Sequence, residues 1–471
     1  MKSTIVLAAL ISCIVFNIAN GNDEYQVYLT TGDQSKKLSH EAPCRVTSSH
    51  NGYSVWVDRR KRRQTIDGFG AALTNSAAYV IYHSPVRQQI LQDLFGNGDN
   101  DLGVSYIRLP MGCSDLNAVQ PYTYNDIPNG QTDFSLNQFS IDKDRAFVIP
   151  VIKEALSINP TLKIMATPWS APAWMKNNRN LNGGDFVDSW NYWQTYAQYF
   201  VKFIEAYKAE GITIESLTLQ NEPLLSRNDY PTMKMSAGQQ QAFIRDHLGP
   251  LFRQRNIHTK ILVFDHNWSD SWYPEQVISD GNTKQYVSGV AWHGYSGRHD
   301  APGVFHGKLQ MLVSMYFSEI SGGSWDTNFA SILTWDTRII FIGQTRNWAK
   351  SVLLWNIALD QNHGPKVANL GGCNDCRGVI TVQNNYYNKN AEYYALAHMS
   401  KFVKPGAVRL ESNYVSWDDL RTAAFVNTDG TTVIVVSNPS SSKSATFSLD
   451  IDAKHYQYNN LPPQSVVTFV K

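Results

Sequence analysis

The chain is 471 residues long, with 41 lysine and arginine residues against 40 aspartate and glutamate residues. This near balance excludes the strongly basic surfaces that nucleic acids and anionic membranes require, so we expect no nucleic-acid partner. Charged residues make up only 17% of the chain and aromatic residues 12%, which is typical of a folded protein with a large core. The length allows either one large barrel with an appendage or several ordinary domains.

The first 21 residues have the pattern of a signal peptide. Lys2 precedes an apolar run from Ile5 to Val15, and small residues follow around Ala19 and Gly21. This run is shorter than the roughly 20 apolar residues that span a bilayer, and no other segment of the sequence comes close to that length. We therefore expect cleavage near Gly21 and a secreted protein without a transmembrane segment, with a lysosomal destination as the alternative.

Eight short apolar or β-branched runs alternate with helical patterns, which indicates βα units and a parallel sheet. The predicted strands cover residues 66–69, 104–107, 162–166, 214–219, 261–264, 289–292, 315–317 and 351–354. Eight such strands within about 300 residues favour a (β/α)8 barrel, also called a TIM barrel, over two separate sheets.

Three of the helices between these strands have clear boundaries in the sequence. Ser84 and Pro85 have the composition of an N-cap and a first helical residue, and this helix should end at Gly96. A second helix is predicted over residues 189–210, and we assign its stripe of tyrosine and phenylalanine to core packing. A third helix is predicted over residues 330–348.

Both ends of the chain show the alternating pattern of β-strands, separated by residues that favour turns. We predict that N-terminal strands within residues 22–62 join a β-sandwich formed by residues 401–471. The barrel is then expected over residues 63–400, after a signal peptide over residues 1–21. The fold class is thus α/β, a barrel with an attached β-sandwich.

Four cysteines remain after the signal peptide is removed, namely Cys44, Cys113, Cys373 and Cys376. In an oxidising compartment they can form two disulfides, and the close pair Cys373 and Cys376 is the favoured one. A zinc site would need a second C-x-x-C motif or a histidine pair at ligand spacing, and the sequence has neither. We expect no metal and no cofactor.

Two glutamates directly follow predicted strands, where a barrel places its active site. The fourth strand ends in Asn221, Glu222 and Pro223, and the seventh ends in Glu319. Two carboxylates facing each other across a barrel mouth are what glycoside hydrolysis needs, one protonated as the acid and one ionised. Taken singly, either glutamate is equally well explained as a solvated loop residue.

Eight longer motifs lie at these strand ends. They are TIDGFGAALTNSAA from Thr65, YIRLPMGCSDL from Tyr106, MATPWSAPAWMK from Met165, LTLQNEP from Leu217, VFDHNW from Val263, VAWHGYSG from Val290, MYFSEISGGSW from Met315 and RNWAKSVLLWNIALD from Arg346. In this order they resemble the glycoside hydrolases of family 30, which include glucosylceramidases and fungal endo-β-1,6-glucanases. The resemblance covers nearly the whole mature chain.

The resemblance implies a role for each matching residue. Glu222 corresponds to the family's acid/base and Glu319 to its nucleophile. Residues that line the glucose subsite are implied at Arg108, Asp115, Trp169, Asn221, His293, Tyr295 and Trp355. On physical grounds Arg108 can keep the nucleophile ionised, and Asp115 can accept hydrogen bonds from sugar hydroxyls. The rings of Trp169 and Trp355 can cover an apolar pyranose face or serve only in packing.

The implied mechanism is retaining, for which the two carboxyl groups should lie roughly 5 to 5.5 Å apart. The segments GGCNDCRGVITV, FDHNW and WHGYSG are more similar to the β-1,6-glucanase branch than to animal glucosylceramidases. Ser318 and Ile320, beside the nucleophile, depart from the usual threonine and cysteine or alanine of the family. We therefore favour β-1,6-glucan as substrate, with glucosylceramide of sphingolipid metabolism as the alternative and a non-catalytic carbohydrate-binding protein as the third reading.

Overall fold

The computed structural model describes residues 23–48, 51–309, 313–413 and 420–471. The predicted signal peptide lies outside these described residues. Among the described helices, none combines the length and apolar character needed to cross a bilayer.

Strands and helices are numbered here in chain order. The strands are β1 (Glu24–Thr31), β2 (Ser39–Thr47), β3 (Tyr53–Thr65), β4 (Gly68–Ala72), β5 (Tyr106–Pro110), β6 (Lys163–Thr167), β7 (Ser216–Thr218), β8 (Lys260–Asn267), β9 (Val287–His293), β10 (Ser314–Glu319), β11 (Gly322–Gly323), β12 (Ala349–Leu354), β13 (Ala358–Asp360), β14 (Cys376–Arg377), β15 (Ile380–Gln383), β16 (Tyr386–Lys389), β17 (Val408–Ser412), β18 (Arg421–Val426), β19 (Thr432–Asn438), β20 (Ala445–Ile451), β21 (Lys454–Leu461) and β22 (Ser465–Val470). The α-helices are α1 (Asn75–His83), α2 (Arg87–Phe95), α3 (Asp142–Arg145), α4 (Val148–Ile158), α5 (Trp190–Ala209), α6 (Ala237–Phe243), α7 (Gly249–Gln254), α8 (Trp272–Ile278), α9 (Gly281–Lys284), α10 (Ala301–Lys308), α11 (Phe329–Trp335), α12 (Gly343–Arg346) and α13 (Ala391–Ser400).

A closed barrel of parallel strands forms the larger part of the molecule. Strands β4 to β10 and β12 pair in chain order, and β12 closes the barrel on β4. Each of them overlaps one of the eight predicted runs, so the predicted (β/α)8 barrel is confirmed. Strands β4 and β5 are buried along their whole length, because helices cover the outside of the barrel and side chains fill the inside. The inner layer consists of Tyr106, Met165, Leu262, Ala291, Tyr316 and Leu353.

The three predicted helices are present, with differences at their ends. The prediction of Ser84 as N-cap is wrong, because α2 begins at Arg87 and Ser84 instead accepts a hydrogen bond from the Val86 amide in the preceding turn. Helix α5 matches its prediction, and Gly211 follows it with the positive φ of 82° that glycine permits. The third predicted helix is divided: α11 passes into a π-helical segment, Asp336–Ile342, and then into α12.

The second domain is a mixed sheet of nine strands, mostly antiparallel, that closes on itself beside the barrel. Its strand order is β1, β2, β21, β20, β3, β17, β18, β19 and β22. Strand β1 pairs with β22, with Val27 opposite Phe469, and both side chains belong to its core. The predicted β-sandwich built from both ends of the chain is confirmed. On the barrel helix α13, His398 hydrogen-bonds Thr30 and Thr468, which ties the two domains together.

The cysteines form one disulfide among the described residues. Cys373 and Cys376 are joined, as favoured from their spacing. Cys44 and Cys113 are both buried and free, because Cys44 lies on β2 of the sandwich and Cys113 lies after barrel strand β5. The second disulfide that the cysteine count allowed is therefore not formed.

Candidate active site

The predicted site residues meet in one cleft at the carboxyl ends of the barrel strands. The cleft has a volume of about 430 Å³, within the usual range for small-molecule sites. Seven of the nine predicted residues line it, namely Asp115, Trp169, Asn221, Glu222, Tyr295, Glu319 and Trp355. The other two, Arg108 and His293, are fully buried beneath it and are bonded to the residues that line it.

Irregular backbone aims several of these side chains into the cleft. On β8, Phe264 and Asp265 are consecutive residues with positive φ, and the pairing of β8 with β9 shifts register there. The pairing of β10 with β9 shifts register just before Glu319. Glu222 also has a positive φ, of 46°. Bulges and left-handed residues of this kind are costly, and they redirect side chains that a regular strand would point elsewhere.

Arg108 is the centre of the buried network. Its guanidinium donates to a carboxylate oxygen of Glu319, to Asn221 Oδ1 at 2.6 Å and to Asp265 Oδ2 at 2.9 Å. The Trp169 and Trp355 rings lie beside this guanidinium on the same side, with ring centroids 4.8 and 5.7 Å from its central carbon. The two indoles also stack on each other at 5.2 Å and are almost fully buried. Each therefore holds Arg108 in place in addition to forming part of the cleft wall.

The predicted nucleophile, Glu319, is held by donors at both oxygens. Arg108 donates to Oε2, and the Tyr295 hydroxyl donates to Oε1 at 2.9 Å. Burial raises the pKa of Glu319, and the positive charges of His293 and Arg108 oppose that rise. The two fixed donors orient the carboxylate as well as stabilising its ionised form.

The predicted acid/base, Glu222, lies across the cleft from Glu319. One oxygen of each carboxylate lies within 4.8 Å of the other and of a ring nitrogen of His293. Burial acts to raise the pKa of Glu222, but the hydrogen bond and charge of His293 outweigh it and lower that pKa in the free cleft. For comparison, the two carboxyl groups lie about 5 to 5.5 Å apart in retaining glycosidases and about 6.5 to 9.5 Å apart in inverting ones.

His293 connects the two glutamates to Asp265. Its Nε2 bonds Asp265 Oδ1 at 3.0 Å, and its Nδ1 bonds Glu222 Oε1 at 3.2 Å. Burial alone would lower the pKa of His293, but the negative charges of Glu319 and Asp265 raise it to about 9. The ring is therefore an imidazolium at neutral pH, with both nitrogens donating.

Asp265 is a member of this buried network that the sequence analysis did not single out. It is fully buried and accepts from Arg108, His293, Thr218 and, at 2.6 Å, Ser318. Burial acts to raise the pKa of Asp265, yet the charges of Arg108 and His293 hold it far below its usual range. A signal was present, because Asp265 directly follows a predicted strand within the motif VFDHNW. Ser318, a departure from the family pattern, is thus a bonding partner of this carboxylate.

Asp115 is positioned by the loop that carries the disulfide. Its Oδ2 accepts from the backbone amide of Cys373 at 3.0 Å. Burial raises the pKa of Asp115 to about 6, and the nearby charge of Glu319 adds to the rise. Lys366 fixes the same loop by donating to the carbonyl oxygens of Gly371 and Cys373. The position of this loop therefore determines whether the Asp115 carboxylate receives the hydrogen bond from the Cys373 amide.

The cleft is poorly suited to a metal ion. Among the described residues, Glu222, His293 and Glu319 are close enough together to offer one ligand atom each. Arg108 already donates a hydrogen bond to a carboxylate oxygen of Glu319, and His293 is itself positively charged. These two positive charges oppose the binding of a cation at the same atoms.

Comparisons with known proteins identify the family of the chain. The family model for the glycosyl hydrolase family 30 TIM-barrel domain matches residues 66–403, and the model for the family's β-sandwich domain matches residues 406–469. The endo-1,6-beta-D-glucanase of Neurospora crassa is 35% identical over 436 residues, which cover 88% of each protein. The lysosomal acid glucosylceramidase of Mus musculus is 29% identical, over 83% of this chain and 78% of the mouse protein.

A solved structure supports the same assignment. The chain superposes on an endo-beta1,6-glucanase with a TM-score of 0.87 at 31% sequence identity, which covers 95% of this chain and 99% of that one. The family models together span both domains of the described structure. The chain therefore belongs to glycoside hydrolase family 30.

Proposed function

We propose that this protein is a secreted, retaining endo-β-1,6-glucanase in which Glu319 is the nucleophile and Glu222 the acid/base. The observation that carries the proposal is that one oxygen of Glu222, just beyond strand β7, lies within 4.8 Å of one oxygen of Glu319, at the end of β10. An inverting enzyme needs a gap of about 6.5 Å or more, because a water molecule must enter between the sugar and its base. The close approach of one oxygen from each carboxylate therefore favours the retaining mechanism.

In the first step a Glu319 oxygen forms a bond to the anomeric carbon as the glycosidic bond breaks. Glu222 gives its proton to the departing oxygen, so the aglycone leaves as a neutral alcohol. Arg108 and Tyr295 hold the attacking carboxylate, and Asn221, whose amide oxygen is committed to Arg108, faces the sugar as a donor. This step produces a glycosyl-enzyme ester on Glu319.

The step requires a protonated Glu222, although the free cleft lowers the pKa of Glu222. A bound sugar displaces water from the side of Glu222 that faces the cleft, and loss of hydration favours the neutral acid. Esterification then removes the charge of Glu319, which stabilises the Glu222 carboxylate beside His293. Glu222 next accepts a proton from water as the water oxygen attacks the anomeric carbon and Glu319 is released. The two glutamates thus exchange protonation states once per turnover.

The choice of β-1,6-glucan rests on the relatives. Both the Neurospora crassa relative and the solved structure carry the name of a β-1,6-glucanase and have higher identity and coverage than the mouse glucosylceramidase. Glucosylceramide is the second candidate substrate, and a lysosomal location would go with it. Secretion follows from the predicted signal peptide, so we place the enzyme outside the cell.

One assay separates these candidates. Purified enzyme is given linear β-1,6-glucan and detergent-dispersed glucosylceramide side by side, with product lengths and anomeric configuration recorded by chromatography and NMR. We expect short β-1,6-linked oligosaccharides that first appear as the β-anomer. Exclusive turnover of glucosylceramide would contradict the substrate, release of the α-anomer would contradict the mechanism, and glucan binding without turnover would indicate a carbohydrate-binding protein.

A further inference from the structure

Trp325 is an exposed aromatic residue in the active-site cleft that the mechanism does not use. It lines the same cleft as Glu222 and Glu319, yet it is 59% exposed. Trp169 and Trp355 line this cleft too, but both are nearly buried and pack beside Arg108. A large apolar ring left in solvent beside a catalytic pair is a candidate binding surface.

The ring of Trp325 is held flat by the chain beneath it. A Cβ atom placed on Gly323 would lie 2.1 Å from the indole, so the ring packs directly on the Gly323 backbone. Any larger residue at position 323 would lift the ring away. One face of the indole is therefore covered by the backbone, while the residue as a whole remains mostly exposed.

Hydrogen bonds from neighbouring segments hold the segment that carries Trp325 in place. Strand β11 pairs with β14, and the Ser324 amide donates to the Asp375 carbonyl at 2.8 Å. Arg377 donates to the carbonyl oxygens of Gly323 and Asp326, each at 3.0 Å, and pairs with Glu392. A ring held in this way loses little conformational entropy on binding, which is an advantage for a recognition surface.

The neighbours of Trp325 in the cleft are polar or aromatic. They include Arg227, Tyr230, Asn267, Tyr295 and Ser321. Among the described residues that line the cleft, Leu225 is the one with an aliphatic side chain. Rings combined with hydroxyl, amide and guanidinium groups suit a sugar, whose ring has apolar faces and a polar edge, and they offer little surface to an acyl chain.

We propose that Trp325 is the platform of a second glucosyl subsite, which binds the pyranose ring next to the one that reacts with Glu319. This inference rests on the proposed function and extends it, because it makes a chain of β-linked glucose, and not a glycolipid, the ligand of the outer cleft. The sugar stacks on the open face of the indole, and its hydroxyl groups meet the polar residues around the ring.

The test compares Trp325→Ala with the wild type on linear β-1,6-glucan and on detergent-dispersed glucosylceramide. Trp56→Ala is the matched control, because Trp56 is a 40% exposed tryptophan on β3 of the sandwich, outside the cleft. Gly323→Ala is a second variant that leaves the indole present but displaces it. Melting temperatures of all four proteins establish that each is folded.

We expect Trp325→Ala to lower kcat/KM on the glucan about tenfold, mainly through KM, which is the size of one aromatic contact. Gly323→Ala should change KM in the same direction, and Trp56→Ala should match the wild type. A kcat/KM within about twofold of wild type for Trp325→Ala, a loss confined to kcat, or a loss seen only on glucosylceramide would each overturn the inference. Failure of the wild type to cleave the glucan would instead refute the proposed function, so the two failures are distinguishable.

Discussion

The inner and outer parts of the cleft are built in opposite ways. The inner part places Arg108, Asp265 and His293 out of contact with water, and each is bonded to an oppositely charged group. The outer part presents Trp325 and Tyr295, which are 59% and 44% exposed. Charges act most strongly where water is excluded, whereas ring faces can recognise a ligand from solvent. We therefore expect chemistry and chain recognition to depend largely on separate residues, with Tyr295 contributing to both through its hydroxyl bond to Glu319. Substitutions in the two parts should then separate kcat from KM.

The largest effect is expected at the inner part, from Glu319→Gln. The amide cannot form the glycosyl-enzyme, so kcat on β-1,6-glucan should fall by at least about 10⁴-fold, while the dissociation constant for β-1,6-linked oligosaccharides changes little. Initial rates and calorimetric titration measure the two quantities. Turnover within tenfold of the wild type would show that Glu319 is not the nucleophile.

Asp265→Asn should affect both stability and catalysis. It keeps the shape of the side chain but removes one of the buried carboxylates that balance the charges of Arg108 and His293, so we expect the free energy of unfolding to fall by about 3 kcal/mol. The value of kcat should fall roughly 100-fold, because both groups lose their fixed orientation. Urea denaturation and initial rates measure the two effects.

Asp144→Asn is the matched control for this substitution. Asp144 is also buried, but the hydroxyls of Tyr122, Tyr124 and Tyr207 bind it away from the cleft. This variant should lose stability and keep kcat. Equal losses of kcat in the two variants would contradict a specific role for Asp265.

The charge of His293 should make stability depend on pH. Its pKa is about 9 in the folded protein against 6.5 as the ordinary value, so the folded state binds more protons between these limits. The stabilisation is therefore complete below about pH 6.5 and is lost as the pH rises to about 9, by up to about 3 kcal/mol in all. Measured by urea denaturation, the advantage of the wild type over His293→Gln should shrink across this window.

Lys176 supplies a control of opposite sign. Burial lowers the pKa of Lys176 to about 7 from 10.5, so the unfolded state binds more protons between these values and stability rises with pH. The variant Lys176→Met should remove that rise. An advantage of the wild type over His293→Gln that stays constant from pH 6.5 to 9 would show that His293 is neutral in the fold.

The smallest effect is expected at the disulfide loop, between the two parts of the cleft. Replacing Cys373 and Cys376 by serine should loosen the loop whose Cys373 amide binds Asp115, and raise KM about tenfold with little change in kcat. Steady-state kinetics on β-1,6-glucan test this expectation. Cys44→Ala, which changes a free cysteine in the sandwich, should leave KM unchanged. A fall in kcat with unchanged KM would place the loop's role in the chemistry.

The sequence predicted the parts of the molecule that depend on local patterns. The eight barrel strands could be found because each is an apolar run between helices, and Glu222 and Glu319 because each follows such a run. Asp265 satisfied the same rule but was not selected. Its importance comes from two consecutive residues of positive φ and from partners on four other strands, and neither is visible in a local pattern.

Three further features could not be predicted, because they depend on contacts between distant segments or on local sequence signals that compete with each other. Ser84 has the composition of an N-cap, yet the chain turns once more before α2 begins at Arg87. The second disulfide was allowed by the cysteine count but prevented by the placement of Cys44 and Cys113 in different domains. Trp325 lay within a recognised motif, but its exposure depends on the packing of its ring against Gly323.

The pairing of β1 with β22 has a consequence for how the protein is made. Residues Gln26–Thr31 hydrogen-bond to Ser465–Val470, so the second domain joins segments more than 400 residues apart. During synthesis β1 and β2 can pair with each other as soon as they leave the ribosome. Their other neighbours, β22 and β21, and both neighbours of β3, β17 and β20, emerge much later, so these strand edges must wait. The barrel, whose strands pair in chain order, can form in the meantime. Chaperones that bind exposed strand edges would therefore act chiefly on strands β1 to β3 of the nascent chain.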